Sequence, residues 1–158
     1  MKRYFILPSF IFLMLVSYSL NAQIVMPAFA FSDLEGKTFT NADLDMDKPI
    51  FVMMFDPYCE HCEAQASNIA EQAEKFEHVQ FVFVTLEPEV SAITTFRDKH
   101  FGDTNIDQLY FLMDTDVAFE SYFGYTDDSV NIYLYHPDRK KPKYFGEEQT
   151  AEVLLKYL

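Results

Sequence analysis

Basic residues are scarce in this sequence: 12 Lys and Arg stand against 25 Asp and Glu, a formal net charge of −13. Binding to nucleic acid or to an anionic membrane relies on cationic side chains, so both partner classes are disfavoured. Tryptophan is absent, and cysteine is limited to Cys59 and Cys62. One pair so close together builds no disulfide framework, and a staple closing so small a loop removes little unfolded-state entropy. The chain has no need of one, because 17 Phe and 10 Tyr supply a dense core. No internal repeat, low-complexity tract or domain-boundary linker is present.

Lys2 and Arg3 precede an apolar run from Tyr4 to Leu20, which ends in Leu20-Asn21-Ala22. A basic start, an apolar middle and a small exit residue mark a secretory signal peptide. The expected organisation is a signal peptide over 1–22, cut between Ala22 and Gln23, and one domain over 23–158. The run also reaches the low edge of a spanning length, so an uncleaved membrane anchor is the alternative. Export to a bacterial periplasm would place the cysteines where a disulfide persists.

The apolar runs Ile50–Phe55, Val79–Val84 and Leu109–Met113 read as strands buried on both faces. Ala66, Ile69, Ala70, Ala73 and Phe76 recur at helical spacing, which predicts a helix over roughly Glu60–Phe76. Pro88 opens a second helix with Val90, Ile93 and Phe96 on its apolar face. A short helix follows over about Asp116–Phe123, capped by Asp114 or Thr115. Val130–Tyr135 is a further strand, the turn chemistry of Pro137-Asp138-Arg139-Lys140 leads to a short strand near Lys143–Phe145, and Thr150 caps a final helix. Ahead of these, Phe29–Phe31 and Thr38–Thr40 flank Asp33-Leu34-Glu35-Gly36 as a hairpin. Helix crossovers imply parallel strands and the closing pair an antiparallel edge, so a mixed central sheet with helices on both faces is expected.

Cys59 and Cys62 fall where the first buried strand gives way to a helix. The dipole and free N–H groups of a helix N-terminus stabilise a thiolate on Cys59. Cys62 lies one turn later, close enough to form a disulfide, so one cysteine attacks a partner's disulfide and the other resolves the intermediate. Between them His61 favours the Cys59 thiolate and Glu60 opposes it. Metal ligation is the chemical rival: structural zinc takes four ligands, and His61, His78, His100 and His136 are the available partners, none at a paired spacing. An inert structural pair is the third reading.

Met26-Pro27-Ala28-Phe29 through Asp33-Leu34-Glu35-Gly36-Lys37 and Asp43-Leu44, the Lys48-Pro49 entry to a strand, Tyr58 before the first cysteine, and Ile132-Tyr133-Leu134-Tyr135-His136-Pro137-Asp138 together span nearly the whole 23–158 segment. In this order they resemble the thioredoxin superfamily, specifically exported TlpA/ResA-like thiol-disulfide oxidoreductases and related redoxins. The resemblance implies an α/β thioredoxin-like fold, with a mixed central sheet flanked by helices and an N-terminal β-hairpin. It implies Cys59 as nucleophile, Cys62 as resolving cysteine, Glu60 and His61 as tuning residues, and Tyr58, Ser129 and Val130 as the substrate-facing wall. Partners would be exported thiol or disulfide proteins and a redox donor or acceptor protein, acting on a monomer without cofactor or metal.

Several positions depart from that family. Its cis-proline position holds Val130 after Ser129, and a cis bond before a non-proline costs about 2.5–4 kcal/mol, so a trans bond is expected. Met53 and Gln65 stand where supporting acids are usual, leaving Asp56 and Glu63 as the acids close in sequence, and Ser67 occupies the neighbourhood of a helix proline. A peroxidatic Pro-x-x-x-Thr-x-x-Cys pattern is missing, since Pro57 lies only two residues before Cys59, and Arg97 and Arg139 are the only arginines beyond residue 22. The expected activity is thiol-disulfide exchange, with a metal-binding or metal-delivery module on the same scaffold as the alternative.

Overall fold

A computed structural model describes residues 26–45, 47–124, 126–137 and 142–158. The proposed signal segment and most of the turn at Pro137–Lys140 lie outside the described residues. In chain order the elements are β1 (Ala30–Ser32), β2 (Thr38–Thr40), β3 (Ile50–Met54), α1 (Glu60–Ala70), β4 (Gln80–Thr85), α2 (Val90–Phe101), β5 (Leu109–Met113), α3 (Phe119–Phe123), β6 (Asn131–Tyr135), β7 (Lys143–Phe145) and α4 (Ala151–Leu155). Every expected element is found, in the expected order.

The strands form one open seven-stranded sheet in the order β2-β1-β5-β4-β3-β6-β7. β3, β4 and β5 run parallel, joined by the α1 and α2 crossovers, while β6 returns antiparallel to β3 with Met54 opposite Asn131 and Ile50 opposite Tyr135. The end of β3 that leads to Cys59 therefore lies beside the start of β6, and residues 128–130 are delivered to the cysteines by sheet register. β1 and β2 form the hairpin at the far edge. Its turn is closed by Asp33, whose Oδ1 accepts the N–H groups of Glu35 at 3.0 Å and Lys37 at 2.7 Å, with Gly36 at φ +80.

Alternation along the central strands divides the core in two. Phe51, Met53, Phe81, Phe83, Phe111, Ile132 and Leu134 face α1, α2 and α4, meeting Ala66, Ile69, Ile93, Phe96 and Leu154. Ile50, Val52, Val82, Val84, Leu112, Tyr133 and Tyr135 face the other way, against Phe29, Phe31 and Phe119 of α3. Aromatic rings pack closely within the first layer, Phe83 and Phe111 stacking with centroids 5.0 Å apart.

Local differences from the expected elements have local causes. The helix predicted to reach Phe76 ends at Ala70, because Gln72 leaves helical geometry at φ −129; a 3-10 turn at Ala73–Phe76 then buries Phe76 fully. The short helix begins at Phe119, later than expected, with Ala118 and not Asp114 or Thr115 at its N-cap; Asp114 instead reaches across the preceding turn to accept the N–H groups of Ala118 at 2.9 Å and Phe119 at 2.8 Å. Thr150 caps α4 through the Val153 N–H.

Candidate active site

Phe55 leaves β3 still tied to β4 through Val84, and a tight turn follows. Asp56 closes it twice: Oδ1 accepts the Tyr58 N–H at 2.8 Å, and its carbonyl accepts the Cys59 N–H at 3.1 Å. Cys59 then sits as N-cap of α1 in extended backbone, and its Sγ accepts the Cys62 N–H at 3.4 Å. The sulfur thus takes up one of the orphan donors of the helix start, the geometry that suits a thiolate.

The two thiols differ in environment. Both are free; Cys59 is partly exposed, while Cys62 is 3% exposed and packs in the core. Burial pushes the Cys62 thiol up to about 12, reinforced by the neighbouring Cys59 and Asp56 charges and opposed by a backbone hydrogen bond at Asp56. Burial makes Cys62 hold its proton, and Cys59 is the more accessible of the two sulfurs.

A cleft of about 380 Å3 opens over the pair. Its floor is Met54, Phe55 and the cysteines, one wall is Thr85–Pro88 after β4, and the other is Asp128–Asn131 before β6. Ser129 and Val130 lie on that second wall, with Val130 buried, and no cis peptide bond occurs among the described residues. The wall is held by a polar network absent from the sequence reading. Tyr144 of β7 donates to Asp128 at 2.7 Å and to Asn131 at 3.0 Å, Thr126 also donates to Asp128, and the Val130 N–H reaches the Gly146 carbonyl at 3.4 Å. These hydroxyl donors hold the Asp128 carboxyl below the usual carboxylate range. A Cβ on Gly146 would stand 2.4 Å from Asp128, so the close approach needs glycine there.

Tyr58 does not join this wall. The Asp56 turn sends its ring outward, 72% exposed, into a neighbouring groove lined by Pro57, Glu63, Phe96 and Lys99 between α1 and α2. Glu60 is exposed on the first turn of α1. His61 is turned to the strap before α4, where its Nδ1 pairs with Glu148. Glu148 carried no signal in the sequence, since the contact bridges 87 positions.

Met53 is fully buried in the core. Gln65 is fully buried and clasps the strap from both sides, donating to the Gln149 carbonyl at 3.2 Å and accepting the Gln149 N–H at 2.7 Å. Glu63 pairs with Lys99 at 2.7 Å, a contact that lowers its carboxyl from the usual range and commits it to the α1–α2 surface. Asp56, Glu87 and Asp128 all line the cleft, and Asp56 is the one whose charge and backbone act on Cys62. Among the described residues no group of three or more His, Cys, Asp and Glu side chains converges as a metal site would require.

A family model described as AhpC/TSA matches residues 23–135. The chain belongs to the AhpC/TSA family. Membership makes it a thioredoxin-like oxidoreductase. No curated protein is significantly similar in sequence. Among solved structures, a secreted Mycobacterium tuberculosis disulfide oxidoreductase homologous to Escherichia coli DsbE superposes with a TM-score of 0.65 at 22% identity, over 83% of this chain and 96% of that one. Mycobacterium tuberculosis DsbF, seen in mixed oxidised and reduced forms, gives 0.66 at 23% over 86% and 94%. A thioredoxin-family thiol:disulfide interchange protein from Chlorobium tepidum TLS gives 0.66 at 14% over 85% and 96%. At these identities the likeness establishes the fold, which is thioredoxin-like.

Proposed function

We propose that this protein is an exported thiol-disulfide oxidoreductase that exchanges disulfides with protein substrates through Cys59 and Cys62. The observation that carries the proposal is the asymmetry of the pair: an accessible Cys59 at a helix N-terminus in an open cleft, with a buried Cys62 one turn below. In the reducing direction the Cys59 thiolate attacks one sulfur of a substrate disulfide. The substrate S–S bond breaks, a Cys59–substrate bond forms, and the first substrate sulfur leaves as a thiol. Cys62 gives up its proton and attacks the Cys59 sulfur, releasing the second substrate thiol. Two electrons pass to the substrate and a Cys59–Cys62 disulfide remains; the oxidising direction reverses each step.

Asp56 lies in the cleft with both sulfurs and is the group suited to receive the Cys62 proton. Ser129 and Val130 present the wall along which a substrate chain would lie. Export rests on the pattern of residues 1–22, and the TlpA/ResA-like likeness on the hairpin and strand motifs. No helix among the described residues is long and apolar enough to cross a membrane. Peroxidase chemistry draws no support here, since Cys59 lacks the Thr of that pattern and Arg97 pairs with Asp98 at 2.9 Å. Turnover of a disulfide substrate by wild type and Cys59→Ser tests the proposal: wild type turns over and the variant does not. Equal turnover would overturn it.

A further inference from the structure

The strap between β7 and α4 is fastened along one side of α1 at three places. His61 meets Glu148, Gln65 clasps Gln149, and Asn68 Nδ2 donates to the Gln149 carbonyl at 3.4 Å. Positions 61, 65 and 68 share a helix face, so the strap lies lengthwise over it. Gln65 is the buried anchor, and it delivers Glu148 to the first turn of the helix.

We propose that Glu148 is a positioning residue that sets the redox poise of the Cys59–Cys62 pair by drawing the His61 imidazole away from the cysteines. The inference rests on the reading that this pair is redox-active. Between two cysteines, a histidine stabilises the thiolate of the first by charge or by N–H donation, which favours the dithiol and makes the disulfide more oxidising. Here that imidazole is taken up by a carboxylate from a distant segment. An imidazole paired with a carboxylate presents the thiolate with a nearly cancelled charge, and its ring is turned toward the strap. The facing charges on α1, Glu60 and Glu63, add no cation to the helix start, and Glu63 is already paired with Lys99.

Glutathione redox titrations of wild type, Glu148→Gln, His61→Ala and the double variant test this. Gln keeps the size of the side chain, and Gln65 still anchors the strap. Glu148→Gln is expected to shift the equilibrium toward the dithiol by about threefold, the scale of an exposed pair, equivalent to about 14 mV for this two-electron couple. In the His61→Ala background the same change should leave the equilibrium where His61→Ala alone puts it. Histidine 15N shifts should report a changed His61 ring environment in Glu148→Gln. An equal shift in both backgrounds would show Glu148 acting as a plain charge and overturn the positioning role. So would an unchanged poise in Glu148→Gln. Failure of the wild type to exchange with glutathione at all would instead overturn the redox reading on which the inference rests.

Discussion

The Sγ of Cys59 accepts the backbone N–H of Cys62 at 3.4 Å, so the more exposed sulfur is itself the cap of the helix that carries the buried one. One contact joins local structure to chemistry: the cap satisfies an orphan donor and places both sulfurs one turn apart. The asymmetry between them follows from burial and not from residue type, and it governs the predictions.

Cys62→Ser should trap the substrate as a mixed disulfide on Cys59, because nothing remains to attack that sulfur. Cys59→Ser should form no adduct while retaining the fold. Mass spectrometry after incubation with a disulfide peptide reads both; an adduct on Cys62 in the Cys59→Ser protein would reverse the assigned roles.

Asp56→Asn removes an acid that lines the cleft and acts on Cys62 but keeps an oxygen for the Tyr58 N–H. Loss of a proton acceptor costs about 100-fold in the step it serves. Rapid-quench kinetics should show the mixed disulfide forming at the wild-type rate and resolving much more slowly. Unchanged resolution would remove Asp56 from the mechanism.

The raised Cys62 thiol has a consequence for stability. In the reduced protein the folded state holds the Cys62 proton up to about 12, whereas an unfolded thiol loses it near about 8.5. The folded state therefore binds more protons between those values, and the contribution, fully present below the unfolded value, is lost as pH rises through the window. Urea unfolding in reductant should show wild type losing stability above about pH 8.5 more steeply than Cys62→Ser, which has no thiol at 62 to titrate. Parallel pH curves would contradict the buried-thiol account.

Gln65→Ala leaves the Gln149 N–H without its partner beside the core, while Asn68 still donates to the Gln149 carbonyl. An unsatisfied buried polar group costs about 1–3 kcal/mol, so the urea midpoint should fall accordingly. Gln65→Glu keeps the acceptor but loses the donor and buries a charge, and it should be no better tolerated. A stable Gln65→Glu would mean that the strap is held elsewhere.

The fold was legible because its signals are local. Ile50–Met54 and Phe81–Val84 are unbroken apolar runs of a length that suits buried strands, and the Asp33–Gly36 turn carries its own hydrogen-bonding chemistry. Cys59 at the strand-to-helix junction was legible for the same reason. What surrounds the cysteines was not. His61 meets Glu148 and Gln65 meets Gln149 across more than eighty positions, and an acid near the chain end looks like any solvated acid until the sheet register brings β7 beside β6. The Tyr144 clasp on Asp128 was hidden likewise. Tyr58 was placed with the substrate-facing wall on the resemblance alone, but the Asp56 turn leaves it exposed beside the α1–α2 groove and off that wall.

The most direct test of the central claim is a glutathione redox titration of the wild-type protein, followed by the mass shift on thiol trapping. A single reversible transition that converts two trappable thiols to none, and that disappears in Cys59→Ser, is the predicted result. Thiols that stay trappable across the whole range of glutathione poise would contradict a redox role for Cys59 and Cys62.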